Sequence, residues 1–252
     1  MEKKGHRLLQ SALEILDAVA DSAVSLGFKD ICGLFQLPKS TIHNLVQTML
    51  NMEYLQKDLT GHYRIGIRCF KTGNAFRLSD PFTERARQIV EELHQTCNEN
   101  TCFAVLERTD VVYIYEFDST QVLRVYAHDE KRKPAHATAL GKALLSGYTD
   151  EEIRSLYSCE ELQVFTPRTL CNLDALIEHL REVRRSHVAY DLEETHPHVN
   201  CIAVPVMNSK GFPVAALSFT FPTFREEVTQ EQLLALLQAA ARKMELLYRL
   251  YE

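Results

Sequence analysis

The sequence predicts a two-domain protein: a mainly α winged helix-turn-helix at residues 1–65, a linker helix at 66–80, and an α+β domain with an antiparallel sheet at 81–252. Three observations carry this prediction. A chain of 252 residues can hold two ordinary domains. Helical periodicity and one short hairpin occupy the first third, whereas strands and helices alternate in the rest. Between them lies Ser79-Asp80-Pro81, where proline disfavours helix in the residue before it.

The first domain is expected to open with an amphipathic helix. Its apolar residues recur at helical spacing, at Leu9, Ala12, Leu13, Leu16 and Val19. A short helix at about Lys29–Phe35 is interrupted by Gln36-Leu37-Pro38. Because proline fits the first turn of a helix, another helix is expected from about Lys39 to Met52. The stretch Leu55–Ile65 then predicts two short strands around a turn that contains Gly61.

The helix at 39–52 has two different faces. Its apolar stripe consists of Ile42, Leu45, Val46, Met49 and Leu50. The opposite face carries hydrogen-bonding side chains and no carboxylate, which suits a helix in the DNA major groove. The residues expected to contact DNA are Lys39, Ser40, Thr41, His43, Asn44 and Gln47 on this helix, and Lys57, His62 and Arg64 on the hairpin. A solvated helix face is the alternative, but the neighbouring helix, turn and hairpin favour DNA binding.

The second domain is predicted to contain six strands and five helices. The candidate strands are Thr101–Glu107, Val111–Phe117, Leu123–Ala127, Val188–Asp191, Cys201–Met207 and Val214–Phe221. The candidate helices are Phe82–Cys97, Thr138–Ser146, Asp150–Leu156, Leu173–Ser186 and Thr229–Tyr251. The order of these elements predicts a mainly antiparallel sheet with helices packed on it.

Composition excludes several classes of protein. No run approaches 18 uncharged apolar residues and the N-terminus lacks a signal-peptide core, so neither a membrane span nor secretion is expected. The seven cysteines include no CxxC pair, which argues against a disulfide framework or zinc finger and favours a reducing cytoplasm. The net charge of −6 divides into +2 for residues 1–80 and −8 for 81–252, so attraction to phosphates is expected only in the first third.

Five sequence blocks resemble the IclR family of bacterial regulators. They are LPKSTIH at 37–43 with YL at 54–55 and YRIG at 63–66; HATALGKALL at 136–145; TPRT at 166–169; YDLEE at 190–194 with VNCIAVPV at 199–206; and AALS at 215–218. The resemblance implies a GAF-like effector-binding domain at 81–252. It also implies assembly as a homodimer or a dimer of dimers on an inverted-repeat operator in double-stranded DNA.

The chain departs from the usual family pattern at four positions. Gln36 stands where glycine is common, so it must either adopt the left-handed conformation or shift the turn. Ser11 and Asn44 replace common arginines, which should weaken the salt-dependent part of DNA binding. His198 also stands where the family often has glycine.

The resemblance also implies an effector site, and the free backbone amides at the start of the helix in 136–145 favour a small carboxylate as its ligand. Carried over by position, its lining residues are Ala139, Leu140, Asp191, Val199, Cys201, Ser218 and Thr220, with Val122 and Val125 on an apolar wall. The backbone amides of Ala139 and Leu140, at the start of a helix, are expected to hold the carboxylate. Asp191, Ser218 and Thr220 are expected to bond ligand hydroxyls.

Other functions remain open at this point. His196, His198 and Cys201 could form a metal site or a thiol sensor, although their spacing matches no standard zinc site. An enzyme is not expected, because the sequence has neither a GxSxG elbow nor an HExxH pair, and no cofactor is expected. The preferred hypothesis is a repressor of a catabolic operon that leaves its operator when the effector binds. The alternative is an activator that needs its effector.

Overall fold

The computed structural model describes residues 6–22, 24–78, 81–121, 132–157, 159–224 and 229–251. The chain divides into two compact units, Met1–Asp80 and Pro81–Glu252. Within the described ranges, no helix is both long and apolar enough to cross a membrane.

The first unit contains four helices and one hairpin among its described residues. The helices are α1 (Arg7–Asp21), α2 (Phe28–Leu34), α3 (Lys39–Asn51) and α4 (Ile67–Leu78), and the hairpin strands are β1 (Leu55–Lys57) and β2 (Tyr63–Ile65). The core of this unit comprises Ile15, Val19, Ile31, Ile42, Val46, Met49, Leu55 and Tyr63. One face of α1, α2 and α3 and one residue of each strand therefore meet in a single apolar cluster.

The turn between α2 and α3 is extended rather than left-handed. Phe35, which directly follows α2, has φ −124° and ψ 136°, and Pro38 precedes α3 with φ −56°. Gln36 is not among the described residues with positive φ. Of the two conformations expected for Gln36, the structure therefore excludes the left-handed one, and the turn takes a different path.

The second unit is built on a six-stranded antiparallel sheet. Its strands are β3 (Asn100–Glu107), β4 (Asp110–Phe117), β5 (Arg132–Pro134), β6 (Ala189–Leu192), β7 (Val199–Met207) and β8 (Pro213–Pro222). They lie in the order β5-β4-β3-β8-β7-β6. The helices are α5 (Pro81–Cys97), α6 (Ala139–Leu145), α7 (Asp150–Leu156), α8 (Leu173–Ser186) and α9 (Gln230–Arg249).

Helices cover both faces of this sheet. Alternate strand residues point to opposite faces, so each strand contributes to two cores. On one face Phe103, Val204, Leu217 and Phe219 pack with residues of α5 and α9. On the other face the strands present the small residues Ala104, Ala203 and Ala216 to α6 and α8. These small residues let α6 lie close to the sheet, and every residue of α6 is buried.

The fold class expected from the sequence is confirmed: a helix-turn-helix unit precedes an α+β unit with an antiparallel sheet. Helices α7 and α8 have the bounds expected for them. Strand β5 was not expected, because Arg132-Lys133-Pro134 is charged and ends in proline. Such a segment suits only the edge of a sheet, where β5 lies. The candidate strand Leu123–Ala127 falls outside the described residues.

Candidate nucleic-acid interface and ligand cavity

Helix α3 presents a polar face beside its buried stripe. Ile42 and Val46 are fully buried, which fixes the rotation of the helix about its axis. Four of the residues expected to contact DNA are exposed, namely Lys39, Ser40, His43 and Asn44, while Thr41 and Gln47 are half-buried. All six lie in the first three turns of α3, the part of a recognition helix that reaches base edges.

The side chains of His43 and Asn44 differ in how strongly their neighbours restrain them. The ring of His43 packs edge-on against Phe28 of α2, with ring centroids 5.8 Å apart, so its orientation is restrained. The side-chain amide of Asn44 has no hydrogen-bond partner within the described part of the chain, and only the backbone carbonyl of this residue accepts from Thr48 Oγ1, at 2.8 Å. The Asn44 amide is therefore available to donate to and accept from an adenine edge.

The hairpin turn is organised by the carboxylate of Asp58. One oxygen, Oδ1, accepts from the backbone N–H of Thr60 at 2.9 Å, the Thr60 hydroxyl at 2.7 Å and the backbone N–H of His62 at 3.0 Å. These hydrogen bonds, that of the Thr60 hydroxyl above all, hold the pKa of Asp58 well below its usual range. The turn is thus fixed by hydrogen bonds within the hairpin, and the side chain of Ser25 adds another to the same carboxylate.

The hairpin residues expected to contact DNA have different surroundings. Lys57 is exposed, and its Nζ lies 5.4 Å from the ring centroid of Tyr63. Arg64 is also exposed and pairs with Gln56 across the hairpin. His62 is half-buried, and its Nδ1 lies 2.7 Å from Thr60 Oγ1. Lys57 and Arg64 therefore carry their charges at the surface, whereas His62 is held in the turn by Thr60.

A cavity lies in the second unit between α6 and the sheet. It encloses about 430 Å³ of empty space, including a part open to solvent. The described residues that line it are Cys102, Tyr113, Lys133, Thr138, Ala139, Leu140, Asp191, Thr195, Val199, Cys201, Ser218 and Thr220. A cleft lined by apolar groups and a few polar ones has the usual composition of a site for a small organic molecule.

Strand register explains why these residues meet. Cys102 pairs with Ser218, Cys201 pairs with Thr220, and Asp191 pairs with Cys201. Paired residues in an antiparallel sheet point to the same face, and so do residues two apart on one strand. The polar residues of β6, β7 and β8 are thereby gathered under the start of α6.

The first turn of α6 is shaped by its capping residue. Thr138 adopts an extended conformation, and its Oγ1 accepts from the backbone N–H of Gly141 at 3.0 Å. The backbone N–H groups of Ala139 and Leu140 have no acceptor within the helix, because they belong to its first turn. A Cβ at Gly141 would overlap the backbone of Ala135, so only glycine permits this close approach.

Asp191 supports the loop that follows β6. Its Oδ1 accepts from the backbone N–H groups of Glu194 at 2.7 Å and Thr195 at 3.3 Å, and its Oδ2 accepts from Thr195 Oγ1 at 2.6 Å. Glu193 and His198 bound this loop with positive φ, 62° and 64°. The left-handed conformation of His198 agrees with the glycine that the family often has there.

The thiols of the cavity are not activated. Burial raises the pKa of Cys201 well above its usual value, and its Sγ lies 3.2 Å from Thr220 Oγ1. Burial likewise raises the pKa of Cys102. Because the thiolate is the reactive form, these protonated thiols do not suit a redox sensor.

The structure does not bring the possible metal ligands together. His196 and His198 are exposed on the loop, whereas Cys201 lines the cavity. Among the residues that the structure describes, no group of three or more His, Cys, Asp or Glu side chains could hold a metal ion.

A buried ion pair lies beside the cavity. Lys142 of α6 is fully buried, and its Nζ donates to Glu194 Oε1, which belongs to the loop after β6. Two hydroxyls hold the same loop: Thr166 Oγ1 donates to the carbonyl of Glu193 at 2.6 Å and Thr169 Oγ1 to that of Glu194 at 2.6 Å. The sequence blocks at 136–145, 166–169 and 190–194 therefore meet around this ion pair, where they stabilise the loop after β6.

The structure brings together seven of the nine residues expected at the effector site, all on the lining of one cavity. The other two, Val122 and Val125, fall outside the described residues. Sequence reasoning did not assign Cys102, Tyr113, Lys133, Thr138 or Thr195 to this site. Alternation along β3 and β4 could have indicated Cys102 and Tyr113, but Lys133 depends on a strand that the sequence does not reveal.

Comparisons with known proteins cover nearly the whole chain. The family model described as "IclR helix-turn-helix domain" matches residues 6–59, and that described as "Bacterial transcriptional regulator IclR C-terminal" matches residues 79–246. The HTH-type transcriptional regulator XynR of Escherichia coli is 33% identical over 218 residues, 86% of each chain. KdgR of Escherichia coli is 31% identical over 233 residues, 91% of this chain and 88% of KdgR.

A solved structure extends the comparison to a complex with a small molecule. An IclR homologue from Microbacterium hydrocarbonoxydans, complexed with 4-hydroxybenzoate, superimposes with a TM-score of 0.76 at 25% identity. The match covers 96% of this chain and 98% of that one.

Proposed function

The chain belongs to the IclR family of bacterial transcriptional regulators, and we propose that it represses a catabolic operon until a small carboxylate enters its cavity. Its helix-turn-helix makes it a DNA-binding transcription regulator. The proposed working unit is a homodimer or a dimer of dimers on an inverted repeat, with one winged unit in each half-site.

The DNA-contacting residues proposed here are the nine expected from the sequence. Support comes from the polar first turns of α3, where Asn44 has an unoccupied amide, and from the exposed cations Lys57 and Arg64 on the hairpin. Lys39, Lys57 and Arg64 suit phosphate contacts, whereas Ser40 and Asn44 suit base edges.

The cavity is the observation that best supports the proposed effector site. Seven residues named from the sequence line it, and the amide groups of Ala139 and Leu140 lie at one side of it. Regulation follows from linkage, because a ligand that binds better to the DNA-free state must weaken DNA binding by the same factor. The bound 4-hydroxybenzoate of the Microbacterium protein shows that a related fold can hold a small aromatic acid.

One experiment tests both the ligand and the sign of regulation. The full chain selects its DNA from a random pool, and its affinity for the selected duplex is then measured with and without pyruvate, gluconate and 4-hydroxybenzoate. We expect one acid to lower the affinity saturably. A rise in affinity instead would show an effector-dependent activator, and no change with any acid would contradict the carboxylate site.

Replacing Asn44 should change sequence preference. Asn44→Ala is expected to weaken binding to the selected DNA by about 10- to 100-fold, because one two-pronged base contact is lost. Lys39→Ala should instead weaken binding to all sequences alike and reduce the slope of log affinity against log salt by about 1. Fluorescence anisotropy at several salt concentrations distinguishes these two effects.

The matched control is Asn51→Ala. Asn51 is exposed at the far end of α3, beyond the turns expected to reach base edges, so its loss should leave affinity unchanged. Equal losses for the Asn44 and Asn51 variants would contradict the proposed orientation of α3 in the groove.

A further inference from the structure

The charged side chains around the cavity are not equivalent. Lys142 and Glu194 neutralise each other in a buried ion pair. Asp191 is 1% exposed and accepts three hydrogen bonds from the loop that follows β6. Lys133 is the remaining charged residue among the described residues that line the cavity. Within the part of the chain that the structure describes, no carboxylate lies within ion-pair distance of its Nζ.

The position of Lys133 follows from strand register. Lys133 pairs with Val111 on β4, and Val111 is fully buried on the face of the sheet that α6 covers. Tyr113, two residues further along β4, lies on the same face and also lines the cavity. Lys133 therefore stands on the cavity side of edge strand β5, not on its solvent side.

The chain then turns directly from β5 into α6. Ala137 donates its N–H to the carbonyl of Pro134 at 3.4 Å, and Thr138 Oγ1 lies 3.5 Å from the same oxygen. Lys133 and the first turn of α6 consequently border the same part of the cavity.

From this arrangement we infer that Lys133 forms an ion pair with the carboxylate of the effector and is the residue that selects an acid over its neutral analogues. This inference rests on the proposed function and adds a residue that the family's sequence blocks do not include. A charge-assisted hydrogen bond from an ammonium is stronger than a neutral one, and stronger still where water is partly excluded. A cation that has no ion-pair partner among the described residues, in a cleft that is only partly open to solvent, gives such a contact to an anionic ligand.

The test measures acid and amide binding side by side. Calorimetric titration of the full chain uses pyruvate, gluconate and 4-hydroxybenzoate, each with its primary amide. Lys133→Gln is expected to weaken binding of the acid by about 10- to 100-fold, as for the loss of a hydrogen bond to a charged group. Binding of the amide should change little, so the preference for the acid should disappear. Lys133→Arg should retain most of it.

Two controls separate the possible outcomes. Lys210→Gln removes the same charge from an exposed turn outside the cavity and should have no effect. Thermal unfolding of each unliganded variant checks that it is folded. An acid that binds the unaltered chain and the Lys133→Gln variant equally would overturn the role of Lys133 alone. If no acid binds the unaltered chain, the proposed carboxylate site fails, and the role of Lys133 fails with it.

Discussion

Lys142→Met is expected to lower the free energy of unfolding by about 3–5 kcal/mol, because it leaves the buried carboxylate of Glu194 without its partner. The side chain of Lys142 is completely buried, so bulk solvent does not take the place of the lost ammonium. Oε2 of Glu194 is already buried without a hydrogen-bond partner among the described residues. Urea unfolding of the full chain, monitored by circular dichroism, measures the loss.

The same variant should show a distinct dependence on pH. Burial raises the pKa of Glu194, and the charge of Lys142 opposes that rise. Without Lys142 the folded-state pKa rises further, so the ionised carboxylate destabilises the fold at pH values above it. Below the usual value of 4.5 the carboxyl is protonated in both states and this cost disappears. The destabilisation should therefore be largest near neutral pH and shrink as the pH falls towards 4.5.

Two comparisons test this explanation. Glu194→Leu introduced together with Lys142→Met should recover much of the lost stability, since no unpaired buried charge remains. Arg154→Met, which breaks an exposed ion pair with Asp174, should have no measurable effect. A pH-independent loss in the Lys142→Met variant would argue for a packing defect instead.

Gly141→Ala is expected to lower the free energy of unfolding by about 3 kcal/mol and to abolish ligand binding, because its Cβ would overlap the backbone of Ala135. No flexible side chain can move aside there, so α6 must shift away from the end of β5. That shift would displace the amide groups of Ala139 and Leu140 and the ammonium of Lys133 relative to each other. Urea unfolding and titration with the effector acid measure the two consequences.

The matched control for this substitution is Gly33→Ala. Gly33 lies in α2, where an added Cβ meets no atom within 4 Å. Alanine favours helix over glycine by up to about 1 kcal/mol, so this variant should be as stable as the original or slightly more stable. A Gly141→Ala variant that behaved like Gly33→Ala would show that α6 and β5 are less closely packed than described.

The fold was predictable where local sequence and tertiary packing agree. The expected bounds of α7 and α8 match the structure because Thr149 and Asn172 cap these helices with their side chains and apolar residues follow at helical spacing. Strand β5 was not predictable, because three residues with two charges and a proline carry no strand pattern. Its place depends on pairing with β4, which is a long-range contact.

The candidate site was predictable only in part, for a related reason. Family resemblance supplied residues on α6, β6, β7 and β8, but it could not distinguish ligand contacts from internal support. Asp191 was expected to bond ligand hydroxyls, and the structure shows in addition that it accepts three hydrogen bonds from its own loop. The sequence does not indicate an ion-pair partner for Lys142, because Glu194 lies 52 residues away along the chain.

The two faces of strand β8 are subject to different constraints on substitution. Ser218 and Thr220 face the cavity, whereas Leu217, Phe219 and Phe221 face the core formed with α5 and α9. Substitutions at every second position can therefore change the shape and polarity of the cavity while the intervening residues keep the domain folded. Related chains can diverge in this way without first passing through an unstable intermediate.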